Sequence, residues 1–378
     1  MNPVFRGDLV NIRSGTSIRL ALPAEPYKIL DGMECVHCGN PSNVRYEIGV
    51  YEKAGYLSGI LGDAAEGEDI QRLNCLAGRL RELDALQETA FCGMAEKETQ
   101  SQGKISLERL VDLSYSTESC HVLPEVRSDF QLGEFLVDNG FVADLEDIPE
   151  EIRKYLDYGK IGREHWEAEG GILTKSGYVE QWDEIHSIRE ETDFRFTKPE
   201  YTILLETKEG RISLPMDEYE LEPYLWREMG EYRCADCAVP FFEGVLNRAN
   251  ADLTELNRFA GMLGELEEQG QLRTFKAVLQ AAHCRDMGQA VELGENIEEE
   301  YVLFEELADP EDVAREWLSE QYPDDIELFS GEELRHIGER YMAKYPAYET
   351  DYGYLQRYDF QPVQPLEEEP EPTIEPRL

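Results

Sequence analysis

Residues 73–83 read LNCLAGRLREL, and residues 256–266 read LNRFAGMLGEL. Seven of the eleven positions are identical: Leu73/Leu256, Asn74/Asn257, Ala77/Ala260, Gly78/Gly261, Leu80/Leu263, Glu82/Glu265 and Leu83/Leu266. The apolar positions fall at i, i+3, i+4, i+7 and i+10, one face of an amphipathic helix. A single such match in a chain rich in Leu and Glu carries little weight, but others follow in the same order. Leu22-Pro23 echoes Leu214-Pro215, and Cys35/Cys38 echoes Cys234/Cys237. Val122-Leu123 echoes Val302-Leu303, and Ile161-Gly162 echoes Ile337-Gly338. Thr174, Gly177, Tyr178 and Asp183 then fall on Thr350, Gly353, Tyr354 and Asp359 without a gap. The offsets drift between 176 and 199 as insertions make them drift. A period this long is no solenoid repeat; it predicts a duplicated set of domains.

Length agrees, since 378 residues predict two or three domains. A hydrophobic content of 41% with 10% aromatics is enough for real cores. No apolar run approaches the roughly 18 residues of a membrane span. The start, MNPVFRGDLVNIRSG, lacks the apolar stretch of a signal peptide, so a cytoplasmic protein is expected. Eight cysteines in that compartment are expected to be reduced. Charge dominates the composition: 80 acidic against 36 basic side chains, a formal −44. Such a polyanion repels nucleic acid and membrane surfaces and attracts basic ones. Acidity of this kind is often only solubility. Here the acids are interspersed with hydrophobics along structured segments and accompanied by 20 Tyr and four Trp.

The fold class expected is α+β, an elongated tandem of two similar halves. Each half has a small antiparallel sheet subdomain, a helical middle and an α+β third subdomain. The boundaries expected are 1–60, 61–118 and 119–190 for the first half, and 191–245, 246–295 and 296–360 for the second. Each half opens with a hairpin, at 9–22 and 201–214, and a further strand carries each cysteine pair, at 33–51 and 232–242. Helices are expected over 66–113 and 252–293, then at 130–139, 149–160, 310–321 and 331–344. Each half closes on a strand pair around Gly177-Tyr178 or Gly353-Tyr354. The tail 361–378, rich in Pro and Glu, is expected to be disordered.

Chemistry-bearing motifs are few. Cys35, Cys38, Cys234 and Cys237 could supply four thiolates to one zinc. Against that, i and i+3 in a strand point to opposite faces, and no glycine-rich knuckle surrounds Cys234. His37 and His121 read as ordinary histidines. No phosphate loop, HExxH or G-x-S-x-G occurs, so no enzyme and no cofactor are expected. What remains is carboxylate surface with aromatics that look exposed: Tyr155, Tyr158, Trp166, Tyr341, Tyr345, Tyr348 and Tyr352.

Two segments resemble a known family. YRCADCAVPF at 232–241, followed by LTELNRFAGMLGEL at 253–266, resembles the front half of ArdA-type antirestriction proteins. The family pattern there is Tyr-x-Ile-x-Asp, Pro-Phe, then an LNxLAxxLxxL helix. FLVDNGFVADLEDIPEEIRKYLDYGKIGRE at 135–164 resembles the back half, with Leu156-Asp157-Tyr158 and Gly162-Arg163-Glu164 on its Asp-Tyr and Gly-Arg-Asp segment. The resemblance spans about 5–183 and 201–359. It implies a protein of a mobile genetic element, cytoplasmic in a bacterial host. It implies a dimer-forming acidic mimic of bent B-form DNA that occupies the DNA site of a type I restriction–modification enzyme. The family's antirestriction motif would lie near 132–148. The chain departs from the pattern in carrying two copies, in the CxxC pairs, and in Glu339-Arg340 where copy two lacks the Asp-Tyr-x-x-x-Gly-Arg run.

The reading is therefore an antirestriction protein and DNA mimic that inhibits a host DNA-binding complex, with no direct nucleic-acid binding and no membrane contact. Its partner-binding acids are expected among Asp138, Asp144, Glu146, Asp147, Glu150, Glu151, Asp157, Glu164, Glu167 and Glu169, and among Glu298, Glu299, Glu305, Glu306, Glu311 and Asp312. The rival readings are an acidic adaptor or chaperone for a basic protein, and a zinc-binding regulator built on the CxxC pairs.

Overall fold

The computed structural model describes residues 2–62, 64–142, 149–188, 194–225, 231–249, 251–307, 309–321, 328–359, 361–363 and 365. These residues form a mixed α+β structure with four small antiparallel sheets. The chain divides into two compact units. Unit 1 is Met1–Ala24 with Asn40–Phe196, and unit 2 is Glu25–Gly39 with Thr197–Leu378. Among the described residues no helix is long and apolar enough to cross a membrane.

Unit 1 begins with the hairpin β1 (Phe5–Asn11) and β2 (Ser17–Leu22). Asn11 makes its turn, the side-chain oxygen accepting from the Arg13 and Ser14 N–H groups. The next helix, α1 (Pro26–Cys35), belongs to unit 2. The chain returns as β3 (Val44–Tyr51) and β4 (Ala64–Glu66), giving a sheet of order β2-β1-β3-β4. The helical middle is α2 (Asp69–Glu82), α3 (Ala85–Gln102) and α4 (Leu107–Tyr115). The repeated motif is α2, and its stripe Leu73, Leu76, Ala77 and Leu80 is buried. Then come β5 (Cys120–Leu123), α5 (Asp129–Asp138), α6 (Glu150–Arg153), α7 (Tyr158–Glu169), β6 (Ile172–Leu173) and β7 (Tyr178–Gln181), with sheet order β5-β7-β6.

Unit 2 runs through β8 (Ile203–Thr207), β9 (Gly210–Leu214), α8 (Glu218–Leu225), β10 (Arg233–Cys237) and α9 (Glu243–Leu246). Its sheet order is β10-β8-β9. The middle is α10 (Leu253–Glu268), α11 (Leu272–Ala281), α12 (Met287–Gly294) and the short α13 (Ile297–Glu300). It ends with β11 (Tyr301–Phe304), α14 (Pro310–Gln321), α15 (Gly331–Lys344), β12 (Tyr348–Thr350) and β13 (Gly353–Arg357), in sheet order β11-β13-β12. α10 is the second occurrence of the motif, and it buries Leu256, Phe259, Ala260, Leu263 and Leu266.

The shared asparagine of the motif has the same task in both units. Asn74 accepts from the Ala24 N–H and donates to the Ala24 carbonyl, at 2.8 and 2.9 Å. Asn257 does this to Met216, at 2.7 and 3.0 Å. Each pins the segment that follows a Leu-Pro pair onto its helix.

The structure departs from three expectations. Residues 33–51 are not one strand. Cys35 ends α1, Cys38 lies beyond it, and strand resumes only at Val44. α1 is hard to recognise because its N-terminus is capped from elsewhere: the Asp236 carboxylate of β10 accepts the Tyr27 N–H at 3.1 Å, while the preceding Glu25 makes no side-chain cap. Residues 149–160 are not one helix. α6 stops after Arg153, and Asp157 caps a fresh helix by accepting the Lys160 N–H. Residues 25–39 lie in unit 2, whereas the sequence reading put them within a 1–60 subdomain. The tail assigned to 361–378 lies almost wholly outside the described residues.

Candidate functional site

In unit 1, α5 and α7 cross at glycine. A Cβ on Gly162 would strike the Asp129 carbonyl, and one on Gly133 the Tyr158 carbonyl. That closeness places Asp129 under two donors. Trp166 Nε1 donates to its Oδ1 at 2.9 Å, and Arg163 donates to its Oδ2 from Nε and Nη2 at 3.1 and 2.9 Å. The Trp166 bond first, and the Arg163 bond second, hold the Asp129 carboxyl below its ordinary range. Of the acids expected here, Asp138, Glu151, Asp157, Glu164, Glu167 and Glu169 are exposed. Asp157 also caps α7, and Glu164 pairs with Lys160 at 3.6 Å. Asp144, Glu146 and Asp147 lie outside the described residues, as does the Glu150 side chain and part of the expected motif near 132–148. Aromatics stand among the exposed acids: Phe130, Phe141 and Tyr155, the last 79% exposed.

In unit 2, Glu298, Glu299, Glu305, Glu306 and Asp312 are exposed and Glu311 is half-buried. Glu311 is held by Arg315 and Glu305 by Arg273, each at 2.7 Å. Of the tyrosines expected at the surface, Tyr155 and Tyr348 are exposed, while Tyr158, Tyr341 and Tyr345 are half-buried, as is Trp166. Tyr352 is the correction. It is fully buried, and its hydroxyl donates to Asp31 at 3.0 Å because the β12–β13 turn packs on α1 and α11 inside unit 2.

The cysteine pairs also differ from the expectation. In β10 the register slips between Cys234 and Asp236, so Ala235 is an extra residue, a β-bulge. The bulge restores Cys234 and Cys237 to one face instead of sending them to opposite faces; there the Cys234 thiol donates to the Asp236 carbonyl, and the Cys237 sulfur accepts from the Val239 N–H. Burial pushes the Cys237 thiol well up, and burial with Asp31 close by pushes Cys35 up to about 12. Thiols kept neutral in this way are poor metal ligands and nucleophiles. Among the described residues no group of three or more His, Cys, Asp or Glu is placed to hold a metal ion, so the four thiols do not form one site.

Two constellations were not singled out from the sequence. Lys276 of α11 is buried, its ammonium 2.7 Å from Asp31 and 2.6 Å from Glu34, both on α1, and over the Tyr352 ring. Burial alone would drive the ammonium to shed its proton. The Asp31 and Glu34 carboxylates overcome this and leave it above the ordinary lysine value. A lysine between Leu272, Phe275 and Leu279, on the apolar stripe of a helix, was the available signal. The second is Asp236. One of its oxygens accepts from the Tyr27 N–H and the Tyr201 hydroxyl, and the other is buried without a hydrogen-bond partner among the described residues. Burial pushes this carboxyl up to about 6. Nothing in its residue type or spacing announces that.

Comparison with protein-family models gave no match, and comparison with curated proteins gave none either.

Proposed function

We propose that the chain is an acidic mimic of duplex DNA, a tandem form of the ArdA-type antirestriction proteins, that binds and inhibits a host DNA-binding complex. The first candidate partner is a type I restriction–modification enzyme. The observation that carries the reading is carboxylate density on structured surface: a net −44, with exposed acids along the helices of the third part of each unit. Duplex DNA bears one charge per about 1.7 Å of axis, so this net charge corresponds to roughly 75 Å of duplex. Carboxylates in place of phosphates would engage the Lys and Arg grooves of a DNA-binding protein. Two further features support a tandem origin. The sheets β2-β1-β3 and β9-β8-β10 share a strand order, as do β5-β7-β6 and β11-β13-β12. The matched asparagines also clasp equivalent backbone. In this reading the chain has no catalytic residue and binds no nucleic acid itself; homodimer formation follows from the family resemblance.

The test is inhibition of a purified type I enzyme, scored on both cleavage and methylation, with duplex DNA as competitor. The expected outcome is inhibition that competes with DNA and weakens as salt rises, because screening shortens to about 8 Å at physiological ionic strength. Inhibition that is flat across salt, or indifferent to duplex DNA, would overturn mimicry.

A further inference from the structure

The third part of unit 2 contains a mostly apolar groove on a frame that resembles the third part of unit 1. In both, a helix pair crosses at glycine: Gly162 lies against the Asp129 carbonyl, and Gly338 against that of Pro310. In both, a glycine before a tyrosine lies against the strand paired with it, Gly177 on Leu123 and Gly353 on Phe304. Four residues past the crossing glycine stands Trp166 in one and Met342 in the other. Trp166 packs with Leu123 on a core of Val126, Leu132, Leu136 and Tyr178. Around Met342 there is instead a cavity of about 400 Å³, lined by Phe304, Leu307, Tyr341, Met342, Tyr345 and Gln356, with Glu306 at its edge.

The lining is mostly aromatic and apolar, yet it opens to solvent. Phe304 and Leu307 are 43% and 46% exposed. Tyr341 and Tyr345, both lining the groove, meet edge to face at 4.7 Å. One of those rings already carries a cation, since the Lys344 ammonium lies 4.9 Å from the Tyr345 centroid. Glu306 is exposed beside the groove, and Glu305 stands next to it in the chain.

We infer that this groove receives an arginine side chain from the basic surface of a protein partner. Ring faces attract a cation, best when it is poorly hydrated and flat. A guanidinium stacks on tyrosine while its methylene stem covers Phe304 and Leu307, and Glu306 offers the carboxylate that a five-donor fork can use. The excess of negative charge disfavours an anionic occupant. An arginine seated in an aromatic pocket is the type of contact that concentrates affinity at protein interfaces. The inference rests on the reading that the partner is a basic protein surface, and it supplies that reading with an anchoring point.

The test is methyl NMR on the full chain, following Leu307, during titration with the blocked tripeptide acetyl-Gly-Arg-Gly-amide. Its citrulline and leucine counterparts serve as neutral probes. The expected result is a saturable Leu307 shift with the arginine peptide and affinity about tenfold weaker for citrulline. Met342→Trp, which places in the groove the side chain that fills it in unit 1, should abolish the shift. Glu306→Gln should weaken arginine but not leucine, and it keeps the test decisive if the tryptophan variant fails to fold. Equal or tighter binding of the leucine or citrulline peptide would make this an apolar-ligand site and overturn the inference; so would no shift with arginine. The peptide titration is independent of restriction. Peptide binding by a chain that fails to inhibit leaves the groove standing and defeats the mimicry reading. Inhibition undiminished in a folded Met342→Trp variant defeats the groove as an anchor and leaves mimicry intact.

Discussion

In unit 1 the Trp166 indole bonds Asp129 and closes the layer between α5, α7 and β7. In unit 2 the same place between α14, α15 and β13 holds Met342, and a cavity opens there. In both units the helices cross at glycine, but the indole comes from a different helix: Trp166 of α7 in unit 1, and Trp317 of α14, against Tyr341, in unit 2. An indole covers far more area than a thioether and demands a partner for its N–H. Both layers have a core, and in unit 2 a cavity opens beside it. The first parts of the units differ in the same spirit. Unit 1 extends its sheet with its own β4, whereas unit 2 covers β10 with α1, a helix drawn from the N-terminal stretch.

The largest expected effect tests that recruitment. Lys276→Met leaves Asp31 and Glu34 facing each other on α1 without their cation. Removing one partner of a buried charge group costs about 3 kcal/mol, the low end being apt because Glu34 is partly exposed. Hydrogen exchange should show α1 and α11 amides losing protection while unit 1 amides are unchanged. If α1 stays protected, unit 2 is not held by this cluster.

Next comes pH, where the units should respond with opposite signs. Asp236 of unit 2 has its folded value raised from 3.8 to about 6, because burial penalises the carboxylate. Its contribution to stability is full below pH 3.8 and is lost as pH rises through about 6, a change of roughly 3 kcal/mol. Asp129 of unit 1 is lowered instead by Trp166 and Arg163, so its contribution is present above 3.8 and is lost as pH falls. Urea denaturation read separately for the two units between pH 4 and 6 should show unit 2 weakening relative to unit 1. Asp236→Asn should remove that slope; a slope that survives would place its origin elsewhere.

Gly162→Ala and Gly338→Ala sharpen the claim of a shared frame. Each adds a methyl group that strikes a carbonyl of the facing helix, and each should cost about 2 kcal/mol in its own unit. Costs that differ widely would mean the two crossings are not equivalent. The smallest effect concerns the filler. Trp166→Met should cost unit 1 about 1.5 kcal/mol through lost area and the lost Asp129 bond. Met342→Trp, entering space already open, should cost unit 2 less than that. The comparison breaks if the two swaps destabilise equally.

Much of this was legible from residues alone. The helix motif at 73–83 and 256–266 lies on α2 and α10 with its apolar stripe buried, and α14 and α15 begin and end where periodicity and capping placed them. That the acids on α7 and around β11 are exposed was read from the structure, not from the sequence pattern. Local signals served wherever the deciding partners were near in sequence. They failed at α1, whose cap comes from Asp236 across 209 positions, and at the second cysteine pair, where a single bulge reverses the face.

By itself, then, the sequence determined the α+β content, the amphipathic helices Asp69–Glu82 and Leu253–Glu268 that carry the shared motif, the net charge and the carboxylate-rich character of the surface. These depend on composition and on periods of two and 3.6 residues, which local chain geometry enforces. Only the tertiary structure decided that residues 25–39 belong to unit 2, that Lys276 is buried against Asp31 and Glu34, that Tyr352 is internal, and that Met342 borders open space. The reason is that burial and cavity volume depend on which distant side chains meet, and close packing makes even small differences in side-chain size felt.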